Sequence, residues 1–288
     1  MKNFAICINP DISDKQSIFS LLESLREGGE INFYSAIAGQ ALIPGIIKPL
    51  PQRNGRHPVC PNIDCILVFG GDGTILRAKQ LALDTGAPIL GINLGYLGFL
   101  SESVLPEIAS SMQNLKLGKY KLLHRMLINC QLKRNGQVIF KGLALNDAVI
   151  YKANSPGLIH VRIKASGRYV FDTRCDGVVA CTPTGSTAYS LSAGGPILAP
   201  QMKAIVLSPL NPHILSIRPM VFPSSERLMM KIHGLQQTAM LQIDGENSCP
   251  IMEGDEIHVT ASERSVPFIK LSNRTFYQIL RNKLHLGK

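Results

Sequence analysis

The chain has 288 residues, 45% of them hydrophobic, no tryptophan and a formal charge of +10. Its apolar runs all fall well short of the roughly 20 residues that cross a bilayer, so a membrane partner is not expected and the reading is cytoplasmic. The basic balance favours anionic partners, yet no basic run is interleaved with aromatics and no zinc-finger or RNA-recognition pattern occurs, which leaves nucleotide phosphates as a simpler partner than nucleic acid.

The seven cysteines, Cys7, Cys60, Cys65, Cys130, Cys175, Cys181 and Cys249, are odd in number and widely spaced, which fits buried free thiols rather than a disulfide framework. In chain order, Phe4 to Ile8 reads as a short strand ended by Asn9 and Pro10. Ser13 with Gln16 forms a capping-box pattern, and Ile18, Leu21, Leu22 and Leu25 follow at helical spacing to about Gly28. Residues 39 to 61 carry five prolines and read as a long loop. Ile63 to Phe69 is an apolar strand that stops at Gly70, Gly71, Asp72 and Gly73, and a helix is expected from Thr74 to Gly86. Pro88 to Ile92 reads as the next strand, and a helix with Pro106 near its first turn points Ile108, Met112 and Leu115 inward. Strand and helix alternating at these lengths predict a doubly wound, Rossmann-like parallel sheet with ligand sites at the carboxyl ends of its strands.

From Tyr120 the period changes. Met126 to Lys133 and Val138 to Leu145 flank Asn135-Gly136, a strong hairpin signal, and Ile159, Val161 and Ile163 alternate with polar residues before a turn at Ser166-Gly167. Further strands are expected at 178–181, 204–207, 228–232, 240–243, 257–260 and 268–271, making an all-β sandwich. Ser272 or Asn273 is expected to cap a last helix with Phe276, Ile279, Leu280 and Leu284 on one face. The expected domains are an α/β phosphate-binding domain over 1–121, with the helix of 273–288 packing back on it, and a β-sandwich over 122–272.

Two stretches carry chemistry. Glycine lets a ligand approach the backbone closely, so the 70–73 turn suits phosphate oxygens. Asp72 is out of place among anions unless it takes a hydroxyl proton or meets Mg2+; a plain Asp-Gly turn is the structural alternative. No P-loop and no Gly-x-Gly-x-x-Gly after a strand is present. The second stretch, Asp176 to Pro196, ends a strand in hydroxyl residues around Pro183 and Gly185 before a short helix, a second polar cradle.

Gly70 to Thr74, Asn93 to Phe99, Leu145-Asn146-Asp147, Asp176 to Pro196, Pro212-His213 with Arg218-Pro219, Asp244-Gly245 and Leu280 to Leu284 stand in the order found in bacterial NAD kinases, which the chain resembles over nearly its whole length. The glycine turn also occurs in 6-phosphofructokinases and in diacylglycerol and sphingosine kinases, whereas Thr182 to Pro196 is specific to NAD kinases. The resemblance implies transfer of the γ-phosphoryl group of ATP, with Mg2+, to the 2′-hydroxyl of the adenosine ribose of NAD. It implies that Asp72 is the catalytic base and that Gly70, Gly71 and Gly73, with Arg77, hold ATP phosphates; no direct protein ligand of Mg2+ is expected, the ion coming with ATP and Asp72 being the one candidate contact. For NAD it implies Asn146 and Asp147 at ribose and adenine, Phe99 at the adenine side, Asp176 at the nicotinamide side, Thr184, Thr187, Ala188, Tyr189 and Ser192 along the groove, Asp244 near the substrate, and Arg174 as a further binding residue. On pattern alone Tyr189 also fits a core aromatic, Asp244 a turn residue and His213 a packed histidine. Asp147 replaces the commoner Glu of the motif, Ile214 a Thr and Leu286 a Trp. A homodimer or homotetramer is implied as well. The alternatives are a lipid kinase sharing the glycine turn, against which the hydroxyls of 182–192 speak, and a dinucleotide-binding protein without turnover, against which Asp72 speaks. ATP against polyphosphate as donor, and NAD against NADH as acceptor, stay open.

Overall fold

The computed structural model describes residues 1–26, 31–35, 47–49, 62–95, 98–153, 157–234 and 239–285. By internal contacts the chain forms two units, Met1–His124 with Val266–Lys288, and Arg125–Ser265.

In the first unit, β1 (Asn3–Ile8) leads to α1 (Lys15–Arg26), β2 (Asn32–Ser35), β3 (Ile47–Pro49), β4 (Cys65–Phe69), α2 (Asp72–Thr85), β5 (Ile89–Asn93), β6 (Ser103–Val104) and α3 (Ile108–Lys116). The sheet order is β3-β2-β1-β4-β5 with β6 beside β5, and these pairings are parallel. The chain therefore winds outward from β1 in one direction and from β4 in the other. β4 is buried at every residue, as a strand covered on both faces must be. Ile18 and Leu22 of α1 and Ile108, Met112 and Leu115 of α3 join Phe4, Ile6, Leu67, Phe69, Leu90 and Ile92 in one core on one face. Gly91 points to the other face, where a Cβ would lie 2.5 Å from Ile75 Cδ1 of α2, so glycine lets that helix close on the strand.

Three expectations change here. Asp14, not Ser13 with Gln16, caps α1: its Oδ1 accepts the Ser17 amide at 3.0 Å, because Asp14 is the residue placed to reach that N–H. The expected end of α1 near Gly28 lies outside the described residues, as does most of 39–61; within that stretch, however, Ile47 pairs with Phe33 as an edge strand instead of a loop. Helix α2 starts at Asp72, two residues before Thr74, and ends as expected at Gly86, whose φ of 73° is left-handed.

In the second unit come β7 (Lys121–Arg134), whose first residues belong to unit one, β8 (Gln137–Ala144), β9 (Asp147–Lys152), β10 (Ile159–Ala165), β11 (Arg168–Cys175), β12 (Gly177–Cys181), α4 (Tyr189–Ser192), β13 (Ala204–Leu210), β14 (Met220–Pro223), β15 (Leu228–His233), β16 (Ala239–Ile243), β17 (Asn247–Ile251) and β18 (Glu256–Lys270), followed in the first unit by α5 (Phe276–Leu284). One antiparallel sheet runs β14-β13-β12-β9-β16-β17; the other runs β11-β10-β15-β18, with β7 beside β18 and β8 beside β7. Inward residues of both, such as Ile128, Val161, Met230 and Val259 against Ile150, Ala180, Leu207 and Leu241, form one core, the expected sandwich. The hairpin turn takes φ 51° at Asn135 and 80° at Gly136. The strands expected at 257–260 and 268–271 are one strand, β18, and Thr275 rather than Ser272 or Asn273 caps α5, in a capping box with Gln278.

Of the cysteines, Cys7, Cys65, Cys130, Cys175 and Cys181 are buried free thiols and Cys249 is half-buried; Cys60 lies outside the described residues. Burial pushes the Cys130, Cys175 and Cys181 thiols up to about 12, so they stay protonated and unreactive.

Candidate active site

β4 ends beside β1 at the point where the winding reverses, which in such sheets opens a crevice at the strand ends. The chain turns there at Gly70, φ 151°, where a Cβ would meet Thr74 Oγ1 at 2.5 Å and Asn9 Cβ at 3.1 Å. Gly71 differs. Its φ is −84°, open to any residue, and a Cβ would meet nothing within 4 Å; a Cβ on Gly73 would also stand in open space. Neither strain nor packing among the described residues asks for glycine at 71 or 73. The bare backbone there leads into the first turn of α2, whose leading N–H groups precede any acceptor within the helix.

Asp72 stands on that first turn, half-buried. Its Oδ2 accepts the Phe99 amide at 3.0 Å and its Oδ1 the Leu100 amide at 3.2 Å. Gly98 makes room, since a Cβ there would lie 2.1 Å from Asp72 Oδ1, and its own amide donates to Ser101 Oγ at 2.6 Å. The 98–101 segment is thus built around the carboxylate. Phe99 is half-buried and Leu94 exposed, while Tyr96 and Leu97 lie outside the described residues. Arg77 is exposed on α2.

In the second unit the turn from β8 into β9 is held by Asp244, whose φ of 49° aims its carboxylate back at the turn. Oδ2 accepts the Leu145 amide at 2.8 Å, and Oδ1 accepts those of Asn146 at 2.8 Å and Asp147 at 3.1 Å. The Asp244 carboxylate therefore orders the backbone that carries Asn146 and Asp147. From the other side Thr182 Oγ1 donates to the Leu145 carbonyl at 2.5 Å and the Thr182 amide to that of Asn146 at 2.9 Å. Gly185 packs so closely that a Cβ would lie 2.2 Å from the Asn146 carbonyl oxygen. Asn146 stays half-buried, with its backbone fixed by three partners.

Asp147 is buried, at 6% exposure. Burial, and then the nearby Asp244 charge, push its carboxyl up to about 7. Between the ordinary Asp value of about 4 and that value the folded chain binds a proton that the unfolded chain has released. The resulting stabilisation is complete below the lower value and is lost as pH rises through the upper one. In Asp147→Asn this slope should vanish, so Tm measured from about pH 5 to pH 8 should fall with pH more steeply in the wild type than in the variant; parallel profiles would contradict it.

The 182–192 run departs from an open cradle of hydroxyls. Besides Thr182, Ser186 Oγ donates to the Pro183 carbonyl at 2.6 Å, Thr187 Oγ1 to that of Thr184 at 3.3 Å, and Ser190 pairs with Ser208 at 2.9 Å. Small polar residues satisfy one another when a tight loop packs on a sheet, and here α4 contacts β12 and β13. Thr184 is buried, Thr187 and Ala188 half-buried, and Ser192 exposed. Tyr189 is 47% exposed, which removes the core-aromatic reading. His213 is likewise exposed and not packed, its backbone amide donating to the Arg174 carbonyl at 2.8 Å. The Asp176 carboxylate accepts from Lys152 Nζ at 2.6 Å and Asn211 Nδ2 at 2.8 Å, which hold it below the usual carboxylate range; Arg174 is exposed. Lys152 and Asn211 had no signal in sequence, because each acts through Asp176, distant in the chain, and Ser101, three residues from the Gly98 amide it accepts, belongs to no motif of its own.

The structure thus gathers Asp72 with Phe99 in one unit, and Asn146, Asp147 and Asp244 with the 182–185 loop in the other. A family model described as the ATP-NAD kinase N-terminal domain matches residues 53–120, and one described as the ATP-NAD kinase C-terminal domain matches residues 145–271. The chain is 38% identical over 289 aligned residues to the NAD kinase of Acidobacterium capsulatum, covering 100% of both chains, and 40% identical over 222 residues to that of Carboxydothermus hydrogenoformans, covering 77% of this chain and 79% of that one. Among solved structures it is similar to yeast NADH kinase complexed with NADH, at TM-score 0.82 and 28% identity over 100% of this chain and 88% of that one. An NAD kinase from Archaeoglobus fulgidus in complex with ATP shares the fold, at TM-score 0.72 and 24% identity over 98% of each chain. With a full-length relative and both halves matched in order, the chain belongs to the NAD kinase family and is an ATP-dependent NAD kinase.

Proposed function

We propose that Asp72 is the base of the reaction and that the bare backbone of Gly71 and Gly73 receives the phosphates of ATP. The observation that carries this reading is that nothing among the described residues calls for glycine at 71 and 73, although the carboxylate beside them is held in place by two amides. In the reaction the ribose O2′ forms a bond to the γ-phosphorus as the bond from that phosphorus to the bridging oxygen breaks, ADP leaves, and the O2′ proton passes to Asp72. The transition state is loose, so the proton moves late and a positioned carboxylate suffices. Both Asp72 oxygens already accept an amide, and no group of three or more His, Cys, Asp or Glu gathers as a metal site among the described residues. That donor set fits Mg2+ arriving on ATP, with Asp72 as its one protein contact, where it would neutralise charge on the phosphate oxygens.

On the acceptor side, Asn146 and Asp147 bind ribose and adenine, Phe99 lies on the adenine side, Thr184, Thr187, Ala188, Tyr189 and Ser192 line the groove, and Asp176 with Arg174 takes the nicotinamide end. The fixed backbone under Asn146 supports this, since an amide that donates and accepts is selective only when it is held. Asp244 acts through that backbone, and Arg77 adds positive charge near the phosphates. The α/β part holds ATP and the β-sandwich holds NAD. A homodimer or homotetramer in the cytoplasm completes the reading.

The test is NADP formation from purified protein with NAD and ATP, read through an NADP-specific dehydrogenase, with and without Mg2+. Turnover that needs Mg2+ is expected, and turnover undiminished in excess EDTA would remove the metal. NADH in parallel defines the acceptor, which matters because the yeast relative was crystallised with NADH; polyphosphate in place of ATP defines the donor.

A further inference from the structure

Lys270 ends β18, and the segment from Leu271 to Arg274 leads into α5. Together with Gly118 to Lys121, which follow α3, it walls an open cleft of about 420 Å³ inside the first unit. That volume lies in the range of small-molecule sites, about 300–1,000 Å³. Four cations line it, Lys119, Lys121, Lys270 and Arg274, with the polar Ser272 and Asn273 between them, and it shares no residue with the 70–77 turn.

The charges are uneven. Lys270 pairs with Glu102 at 2.7 Å and Arg274 with Glu107 at 3.3 Å. Lys119 and Lys121 are exposed and have no carboxylate partner among the described residues, which leaves the cleft with two uncompensated positive charges. Glu102 is buried and saturated: besides Lys270 it accepts the amides of Leu271 at 3.0 Å and Ser272 at 2.5 Å. Its charge is spent behind the wall, and the lining presents ammonium and guanidinium groups with hydroxyl and amide donors. Such a set matches a compact dianion with several acceptor oxygens.

We propose that this cleft is a second anion site that takes a small phosphate dianion, and that its occupant acts on the kinase through Lys270 and Glu102. An anion drawing on Lys270 loosens its pairing with Glu102. Glu102 follows Ser101, which holds the Gly98 amide, and the next two amides hold the Asp72 carboxylate. The coupling rests on the role proposed for Asp72; the site does not.

The experiment compares wild type with the double variant Lys119→Glu/Lys121→Glu, both positions exposed and outside the reaction machinery, and with Lys270→Gln. Binding of inorganic phosphate and of AMP is measured by calorimetry on the full chain saturated with NAD and ADP, so that the catalytic site is filled. Kinase rate is followed against phosphate at constant ionic strength. Expected are a phosphate affinity at least tenfold weaker in the double variant, with its phosphate-free rate within twofold of wild type, and a rate response to phosphate that is lost in Lys270→Gln. AMP binding more tightly than phosphate assigns the dianion to a phosphorylated nucleoside; equal binding assigns it to free phosphate. Equal phosphate affinity in wild type and double variant overturns the site, whatever Asp72 does. A rate response that survives Lys270→Gln overturns the coupling.

Discussion

Replacing Asp72 by Asn should lower kcat by about 10²–10⁴-fold, the usual contribution of a positioned general base, which corresponds to about 2.7–5.5 kcal/mol in the barrier. Asn keeps one acceptor oxygen for the amides of Phe99 and Leu100, but its NH2 group faces the other N–H, so one of the two hydrogen bonds seen at Asp72 is lost. The 98–101 segment should loosen without collapsing, because the Gly98 amide is still held by Ser101. NAD affinity, measured by equilibrium titration, should therefore change little while turnover drops. If affinity and Tm fell in step with kcat, the carboxylate would be a brace for the loop and not the base.

Asp244→Ala should be the most damaging substitution in the second unit. It leaves three amides, at 145, 146 and 147, without their carboxylate, two of them on buried residues. Each orphaned buried donor costs about 1–3 kcal/mol, and alanine in the left-handed conformation of this residue adds about 1–2 kcal/mol. A loss of about 3–5 kcal/mol in urea unfolding is the expected total, since such terms are not fully additive. NAD binding should weaken as well, because Asn146 and Asp147 lose the frame that aims them. Asp244→Asn keeps one acceptor and tolerates the positive φ, so it should cost less than half as much. Removing the Asp244 charge should also lower the Asp147 midpoint, which is raised in part by that charge. A stability of Asp244→Ala within 1 kcal/mol of wild type would mean that water replaces the carboxylate at the turn.

Much of the fold is legible because local rules and global fold agree. The alternation of β10 appears as buried Ile159, Val161 and Ile163 with half-buried partners, and Asn135-Gly136 turns where such pairs must turn. The glycine turn, α2 with Gly86 at its end, and α3 after Pro106 follow from residue types that few other conformations accommodate. Where local signals compete, sequence reading chooses wrongly. Ser272 has the chemistry of a cap, but its amide goes to Glu102 and its hydroxyl accepts the Arg274 amide, so the helix starts later, at Thr275. β18 reads as two strands because Ser262 to Ser265 is polar; the strand continues through that stretch, because polar, partly exposed residues take up extended backbone as readily as apolar ones.

The sequence by itself determined the two kinds of architecture, the turn at Gly70 to Gly73 and the family, since each rests on residues adjacent in the chain or on their order along it. Only the tertiary structure decided what Asp244, Glu102 and the hydroxyls of Thr182 and Ser186 do. A carboxylate or hydroxyl acquires its role from the donor or acceptor it meets, and Asp244 meets its amides 97 to 99 residues away, Glu102 meets Lys270 168 residues away, and Thr182 meets Leu145 37 residues away. Hydrogen bonds act over about 3 Å, and no pattern along the chain encodes which distant segment will come that close.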